Sequence, residues 1–100
     1  MKIAVAITGA SGSIYAQLLL QKLLHLKDQL QEVSVVMSAN AKFVWQTELG
    51  NKQYKDFPFR YFEKMDFLAP FASGSAKYDA LIIIPCSMGT LGRIAGGISN

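Results

Sequence analysis

Two short apolar runs constrain this chain more than any other feature: Lys2 to Thr8 (K-I-A-V-A-I-T) and Tyr78 to Pro85 (Y-D-A-L-I-I-I-P). Lys2 to Thr8 does not alternate between apolar and polar positions and reads as a strand buried on both faces, as in a parallel sheet. Tyr78 to Pro85 is the clearest strand in the chain, continuous in Leu and Ile. The first halts at Gly9-Ala10-Ser11-Gly12 and the second at Cys86-Ser87-Met88-Gly89, both small-residue turns that lead into helical sequence. From Ser13 to about Asp28, Gln17, Gln21, His25 and Asp28 recur every three or four positions against a Leu-rich remainder. That spacing predicts an amphipathic helix. Glu32 to Met37 predicts another strand, and Ser38 to Leu49 a second helix, with Ser38 as its N-cap and Gly50 just past its end. Asn51 to Ala69 mixes aromatics with charges and holds one short strand near Phe59 to Phe62; Pro70 to Ala76 is a loop, and a last helix starts at about Thr90.

Alternation of strands and helices calls for a parallel sheet with right-handed crossovers and helices on both faces. The expected fold is therefore three-layer α/β/α, Rossmann-like (flavodoxin-like), with residues 1–100 as one α/β domain. A further strand is expected after Asn100, so the fold reads as incomplete as given.

Composition narrows the function classes. Half the residues are hydrophobic (51%) and 17% are charged, which suits a core-forming chain and not a disordered one. The net charge of +3 comes from scattered bases, without the contiguous stripe that would grip a nucleic-acid backbone. No apolar stretch reaches the roughly 18 to 20 residues of a bilayer span. The single cysteine excludes an internal disulfide framework, and no His, Cys, Asp and Glu set has metal-ligand spacing. A soluble cytoplasmic protein is expected.

Three turns at strand ends concentrate glycine and hydroxyls: Thr8 to Gly12, Ser38, and Cys86 to Thr90. Glycine lets the backbone approach an anion, and a helix N-terminus offers free N–H groups with a partial positive charge. For Ser11, Ser38 and Ser87 taken singly, helix capping and ligand contact stay equally open; together they favour a nucleotide held without lysine. The NTPase phosphate loop is absent, and G-x-G-x-x-G fails because Ser11 and Ile14 stand where glycines are needed. A mononucleotide fits better. Glu48 follows Val44 and Trp45 by a helical turn, which predicts a partly buried carboxylate of raised pKa, suited to proton transfer. The competing reading is a solvated Glu near a helix end. His25 reads as solvated, Cys86 as a packed small residue, and Asp66 and Asp79 as loop and strand-start residues.

The wording then becomes specific. I-T-G-A-S-G-S-I-Y-A (7–16), M-S-A-N-A (37–41), Thr47-Glu48, F-L-A-P-F-A-S-G-S (67–75) and P-C-S-M-G-T-L-G-R-I-A-G-G-I-S-N (85–100) occur in order. This series closely resembles the UbiX/Pad1 flavin prenyltransferases, of the homo-oligomeric flavin-containing Cys decarboxylase superfamily, over their amino-terminal portion.

The resemblance implies an enzyme that joins a dimethylallyl group, from dimethylallyl phosphate, to N5 and C6 of reduced FMN. It implies prenylated FMN as product, a UbiD-type decarboxylase as its recipient, no metal, and a homo-oligomer, a dodecamer by family expectation. Carried over by residue, Gly9, Ala10, Ser11, Ser38, Ser87, Met88, Gly89 and Thr90 would bind FMN. Ser11 and Glu48 would be catalytic, with Glu48 moving the proton, and Ala72, Ser73 and Gly74 would line the substrate side. The alternatives are a flavin-dependent cysteine decarboxylase of the same superfamily and a non-catalytic FMN-binding or assembly module. Exposed apolar surface over Phe57 to Phe71 is expected to support oligomerisation.

Overall fold

The structure, a computed structural model, describes residues 1–62 and 78–86. Within them the elements are β1 (Lys2–Ile7), α1 (Ser13–His25), β2 (Glu32–Met37), α2 (Ala39–Leu49), β3 (Arg60–Phe62) and β4 (Ala80–Ile83). Short 3-10 turns at Lys27–Gln29 and Gln53–Lys55 join them. The strands form one sheet in the order β3-β2-β1-β4, and every pairing is parallel. This is the expected α/β architecture. β2 and β3 run outward on one side of β1 while β4 lies on the other, so strand order reverses between β1 and β4.

Both faces of the central strands are covered. Ile3, Val5, Ile7, Val33, Val35 and Met37 join Ala16, Leu20 and Leu23 of α1 and Ala41 and Trp45 of α2 in one core. The even-numbered positions Ala4, Ala6, Ser34 and Val36, which point to the opposite face, are equally buried. That two-sided burial is why these strands lack polar alternation. Right-handed crossovers from β1 to β2 and from β2 to β3 place α1 and α2 on one face, where they touch. Trp45 is fully buried at that junction, edge-on to Tyr54 at 5.7 Å, with its indole N–H donating to Asn51 Oδ1 at 2.9 Å.

Two predicted boundaries move, each for a local reason. The first helix stops at His25, not Asp28: Leu26 N–H still reaches back to Lys22, then the chain tightens. The tightening brings Gln31 N–H to Met1 O at 2.8 Å, which starts β2 beside β1. β4 is shorter than the apolar run because Pro85 has no N–H to continue the ladder; single bonds from Asp79 N–H to Lys2 O and Ile84 N–H to Ala6 O extend it. The 3-10 turn at Gln53–Lys55 was not legible in the mixed segment. Phe57 and Phe59 stack at 6.0 Å and pack against the core, so this start of the aromatic stretch is not the exposed apolar surface expected. Exposed large apolar side chains instead include Ile14, Tyr15 and Leu18 on α1 and Phe43 on α2. The Pro70 to Ala76 loop and the last helix lie outside the described residues. No helix among the described residues is long and apolar enough to cross a membrane.

At the amino ends of the strands, Glu32 Oε2 accepts from Tyr78 O–H at 2.8 Å and Ser34 O–H at 3.0 Å, which lowers its pKa. A cavity of about 250 Å³ lined by Leu30, Val33, Phe59 and Arg60 lies at this same end. The strand-end turns lie at the other.

Candidate functional site

In an open parallel sheet, ligands settle beyond the carboxyl ends of the strands where strand order reverses. Here that place is the gap between the ends of β1 and β4. Gly12, at φ 117°, turns the chain from β1 into α1 in a left-handed conformation that a residue with a Cβ adopts only with strain. A Cβ on Gly12 would also meet the Pro85 ring at 3.3 Å. Gly9 lies directly under the Asn40 side chain: a Cβ there would stand 3.0 Å from Asn40 Cγ and collide with the Asn40 amide nitrogen unless that exposed side chain moved aside.

Helix α1 begins with neither a capping side chain nor an acidic residue in its first turn. Glu48 of α2 supplies both functions across the helix pair. Its carboxylate accepts from Ser13 N–H at 2.9 Å, Gly12 N–H at 3.1 Å and Ser11 O–H at 2.7 Å. These donors, Ser13 N–H first, then the Ser11 hydroxyl, then Gly12 N–H, hold the carboxyl at about 2 against an ordinary 4.5. Of the two readings of Glu48, the solvated carboxylate near a helix end holds, and the partly buried one of raised pKa does not. Trp45 turns into the core, but Glu48, one helical turn on, is exposed at the helix end, and the donors favour its charged form.

Ser38 caps α2, its Oγ accepting from Ala41 N–H at 3.0 Å. Capping uses only a lone pair, so the Ser38 hydroxyl proton stays available to a ligand. Ser11 is the converse: its proton is committed to Glu48 and its lone pairs are open. The Ser13 hydroxyl is buried beside the Glu48 carboxylate and adds to the lowering of its pKa. Thr8 lies 7% exposed at the end of β1; its hydroxyl donates to Pro85 O and accepts from Ala10 N–H at 3.4 Å.

Of the residues singled out in the sequence, the structure brings Gly9, Ala10, Ser11 and Glu48 into one cluster, with Ser38 heading the neighbouring helix. Ser87, Met88, Gly89, Thr90, Ala72, Ser73 and Gly74 lie outside the described residues, as does Asp66. His25 is exposed at the end of α1, and Asp79 accepts from Lys2 N–H at 2.6 Å at the start of β4. Cys86 is exposed and not the packed residue expected. Sequence reasoning missed Thr8 and Asn40. Each acts on a partner far along the chain, so no local spacing marks it; the one cue was that both lie inside the quoted motifs.

The residues present fit a flavin mononucleotide in kind. Backbone amides and the Ser11 and Ser38 hydroxyls at the heads of the two helices suit a phosphate and sugar.

Comparison with known proteins points the same way. The family model described as Flavoprotein matches residues 1–100. The flavin prenyltransferase UbiX of Methanocaldococcus jannaschii is 48% identical over 101 residues, covering 99% of this chain and 53% of that protein. Among solved structures, the dodecameric FMN-dependent UbiX-like decarboxylase of Escherichia coli O157:H7 superposes with a TM-score of 0.81 at 34% identity. That match covers 99% of this chain and 54% of the other. AnUbiX (PadA1), solved with FMN and dimethylallyl pyrophosphate, superposes with a TM-score of 0.68 at 34% identity, covering 97% and 51%. The chain thus spans about half the length of the relatives it matches.

Proposed function

This chain belongs to the flavoprotein family, and from that premise we propose that it is the flavin-binding portion of a flavin prenyltransferase. The observation that carries the reading is the Ser11–Glu48 pair, joined at 2.7 Å beside the Gly9 turn at the switch point of the sheet. The resemblance to proteins named flavin prenyltransferase, and to one solved with FMN and dimethylallyl pyrophosphate, supports it.

In this reading Gly9, Ala10, Ser11 and Ser38 hold FMN together with Ser87, Met88, Gly89 and Thr90, and Ala72, Ser73 and Gly74 line the side facing dimethylallyl phosphate. Reduced FMN and the dimethylallyl donor supply a reaction in which the C–O bond to phosphate breaks and bonds to N5 and C6 form. Two protons leave the flavin; one returns to the prenyl unit and the other departs with phosphate. No metal ion enters this balance. Ser11 and Glu48 handle a proton: the serine oxygen accepts one from the ligand side while passing its own to the carboxylate. Held near 2 without ligand, Glu48 is a weak base. An anionic phosphate alongside, or loss of either backbone donor, moves its pKa upward toward the working range. The product serves a UbiD-type decarboxylase. The assembly is a homo-oligomer, as the dodecameric relative and the exposed apolar side chains of α1 suggest. A cytoplasmic setting suits the Cys86 thiol, which is in no disulfide.

The test is direct. The full-length protein, given reduced FMN and dimethylallyl mono- or diphosphate, yields an FMN adduct heavier by one prenyl unit in the mass spectrum. Bound FMN with no adduct overturns the enzyme reading in favour of a binding module. Carbon dioxide release from a cysteine-terminated substrate overturns it in favour of a decarboxylase.

A further inference from the structure

We infer that Asn51 is a positioning residue for Glu48: its side chain locks the last turn of α2 and so sets where the Glu48 carboxylate meets the start of α1. The inference rests on the flavin reading above for its catalytic consequence, and adds a residue to it. Glu48 stands on the last turn of α2, next to Leu49, where the helix ends. Gly50 leaves the helix at φ 67°, its N–H taking the Gln46 carbonyl at 2.9 Å. The Asn51 side chain folds back over that end. Its Oδ1 accepts the Trp45 indole N–H at 2.9 Å and the Gln53 N–H at 2.9 Å, and its Nδ2 donates to Leu49 O at 3.3 Å. One side chain thus meets a carbonyl left open by the helix end, an amide of the following turn and the N–H of a buried indole.

Each of these bonds bears on Glu48. Trp45 is fully buried one helical turn before it. The bond to Asn51 fixes the indole in its place, edge-on to Tyr54, and the indole fixes how α2 is rotated about its axis. Glu48 turns with that rotation. The Leu49 carbonyl belongs to the residue beside Glu48. Gln53 carries the link to α1: its Oε1 accepts from Gln17 Nε2 at 2.6 Å, one turn beyond Ser13. The end of α2 is therefore tied to α1 at two points, Glu48 to residues 11–13 and Gln53 to Gln17, with Asn51 between them. The Glu48 contacts are 2.7, 2.9 and 3.1 Å long. A shift of about 1 Å carries bonds of that length past their limit.

Asn51→Leu keeps about the volume of the side chain and removes all three bonds, whereas Asn51→Asp keeps the acceptor. The first measurement needs no activity. Urea midpoints of the full-length protein are followed between about pH 6 and about pH 3, the range in which the Glu48 contact is lost. The drop seen in the native protein is expected to shrink in Asn51→Leu to about that of Glu48→Gln, with no further change when the two substitutions are combined. The second measurement is single-turnover adduct formation from reduced FMN and dimethylallyl phosphate at neutral pH. Asn51→Leu slows it about tenfold, as a displaced proton-transfer group would, and changes FMN affinity less than about threefold. Asn51→Asp restores the rate to within about threefold, and in the Glu48→Gln background Asn51→Leu has less than about a twofold effect. An acid drop equal to the native one, an unchanged rate, equal slowing in both backgrounds, or no rescue by aspartate overturns the inference. Asn51→Ala replaces Asn51→Leu if the latter does not fold, and failure of both to fold makes the residue purely structural and overturns it too. Absence of adduct from the unsubstituted protein is a different result: it overturns the flavin reading, and the acid drop still decides whether Asn51 places Glu48.

Discussion

Glu48, at the end of α2, accepts the Ser13 amide proton of α1 at 2.9 Å, so the carboxylate of one helix neutralises the positive end of the other. The helix-terminus attraction and three hydrogen bonds act on one side chain. The pair of helices and the candidate site are therefore built from the same contact.

Glu48→Gln tests the chemical half of that contact. Glutamine keeps the size and an oxygen for the backbone donors but cannot take a proton from Ser11. FMN binding is expected to persist while adduct formation slows by a factor on the order of 100, the usual scale of acid–base assistance. An unchanged rate in single-turnover mass spectrometry removes Glu48 from the mechanism.

The electrostatic half predicts a pH dependence. The folded pKa of Glu48, about 2, lies below the ordinary 4.5. Its contribution to stability is therefore complete above pH 4.5 and is lost as pH falls from there toward 2. Urea midpoints of the native protein should drop between about pH 6 and about pH 3. Those of Glu48→Gln should drop less, with Glu32, whose pKa is also lowered, supplying part of the remaining slope. Parallel curves for the two proteins would exclude the Glu48 cap.

Two tyrosines give opposite outcomes for the same deletion. The Tyr61 hydroxyl is buried without a partner, and burial pushes its pKa up to about 12, with Asp56 adding to the shift. Tyr61→Phe removes an unpaid desolvation cost and should leave stability unchanged or raise it by about 1 kcal/mol. The Tyr54 hydroxyl accepts from Gln46 Nε2 at 2.7 Å, so Tyr54→Phe should cost about 1 kcal/mol. Chemical denaturation of both variants settles the contrast; a destabilised Tyr61→Phe would mean that its hydroxyl has a partner.

Gly9→Ala separates folding from binding. The added methyl meets the end of an exposed Asn40 side chain, which can swing aside, so the variant should fold with little change in Tm. The methyl displaces the Asn40 amide from the Gly9 turn into the space beside it, and FMN affinity should fall by about tenfold. Isothermal titration of the variant against FMN measures this; wild-type affinity would mean that the Asn40–Gly9 contact plays no part in binding.

Local patterns carried much of the fold. β2 was legible to the residue because Glu32 to Met37 is bounded by polar and capping positions, and Ser38 was legible as an N-cap because its partner, Ala41, is three residues away. The turn of residues 9–12 announced itself through composition. Glu48 was legible as a residue of interest and as a solvated carboxylate near a helix end, but not as the cap of another helix. Helical spacing ties it to Trp45, whereas its partners are set by where α1 begins.

What the sequence by itself determined is everything that depends on neighbours within a few residues: strand and helix identity, the two-faced burial of β1, the Ser38 cap, and the family. What only the tertiary structure decided is which groups meet. The pairing of Glu48 with the α1 terminus, of Thr8 with Pro85 and of Asn40 with Gly9 depends on how α1 and α2 pack and on β4 inserting beside β1. Hydrogen bonds and charge effects fall off within a few ångströms of space. Distance along the chain says nothing about them until the sheet has closed.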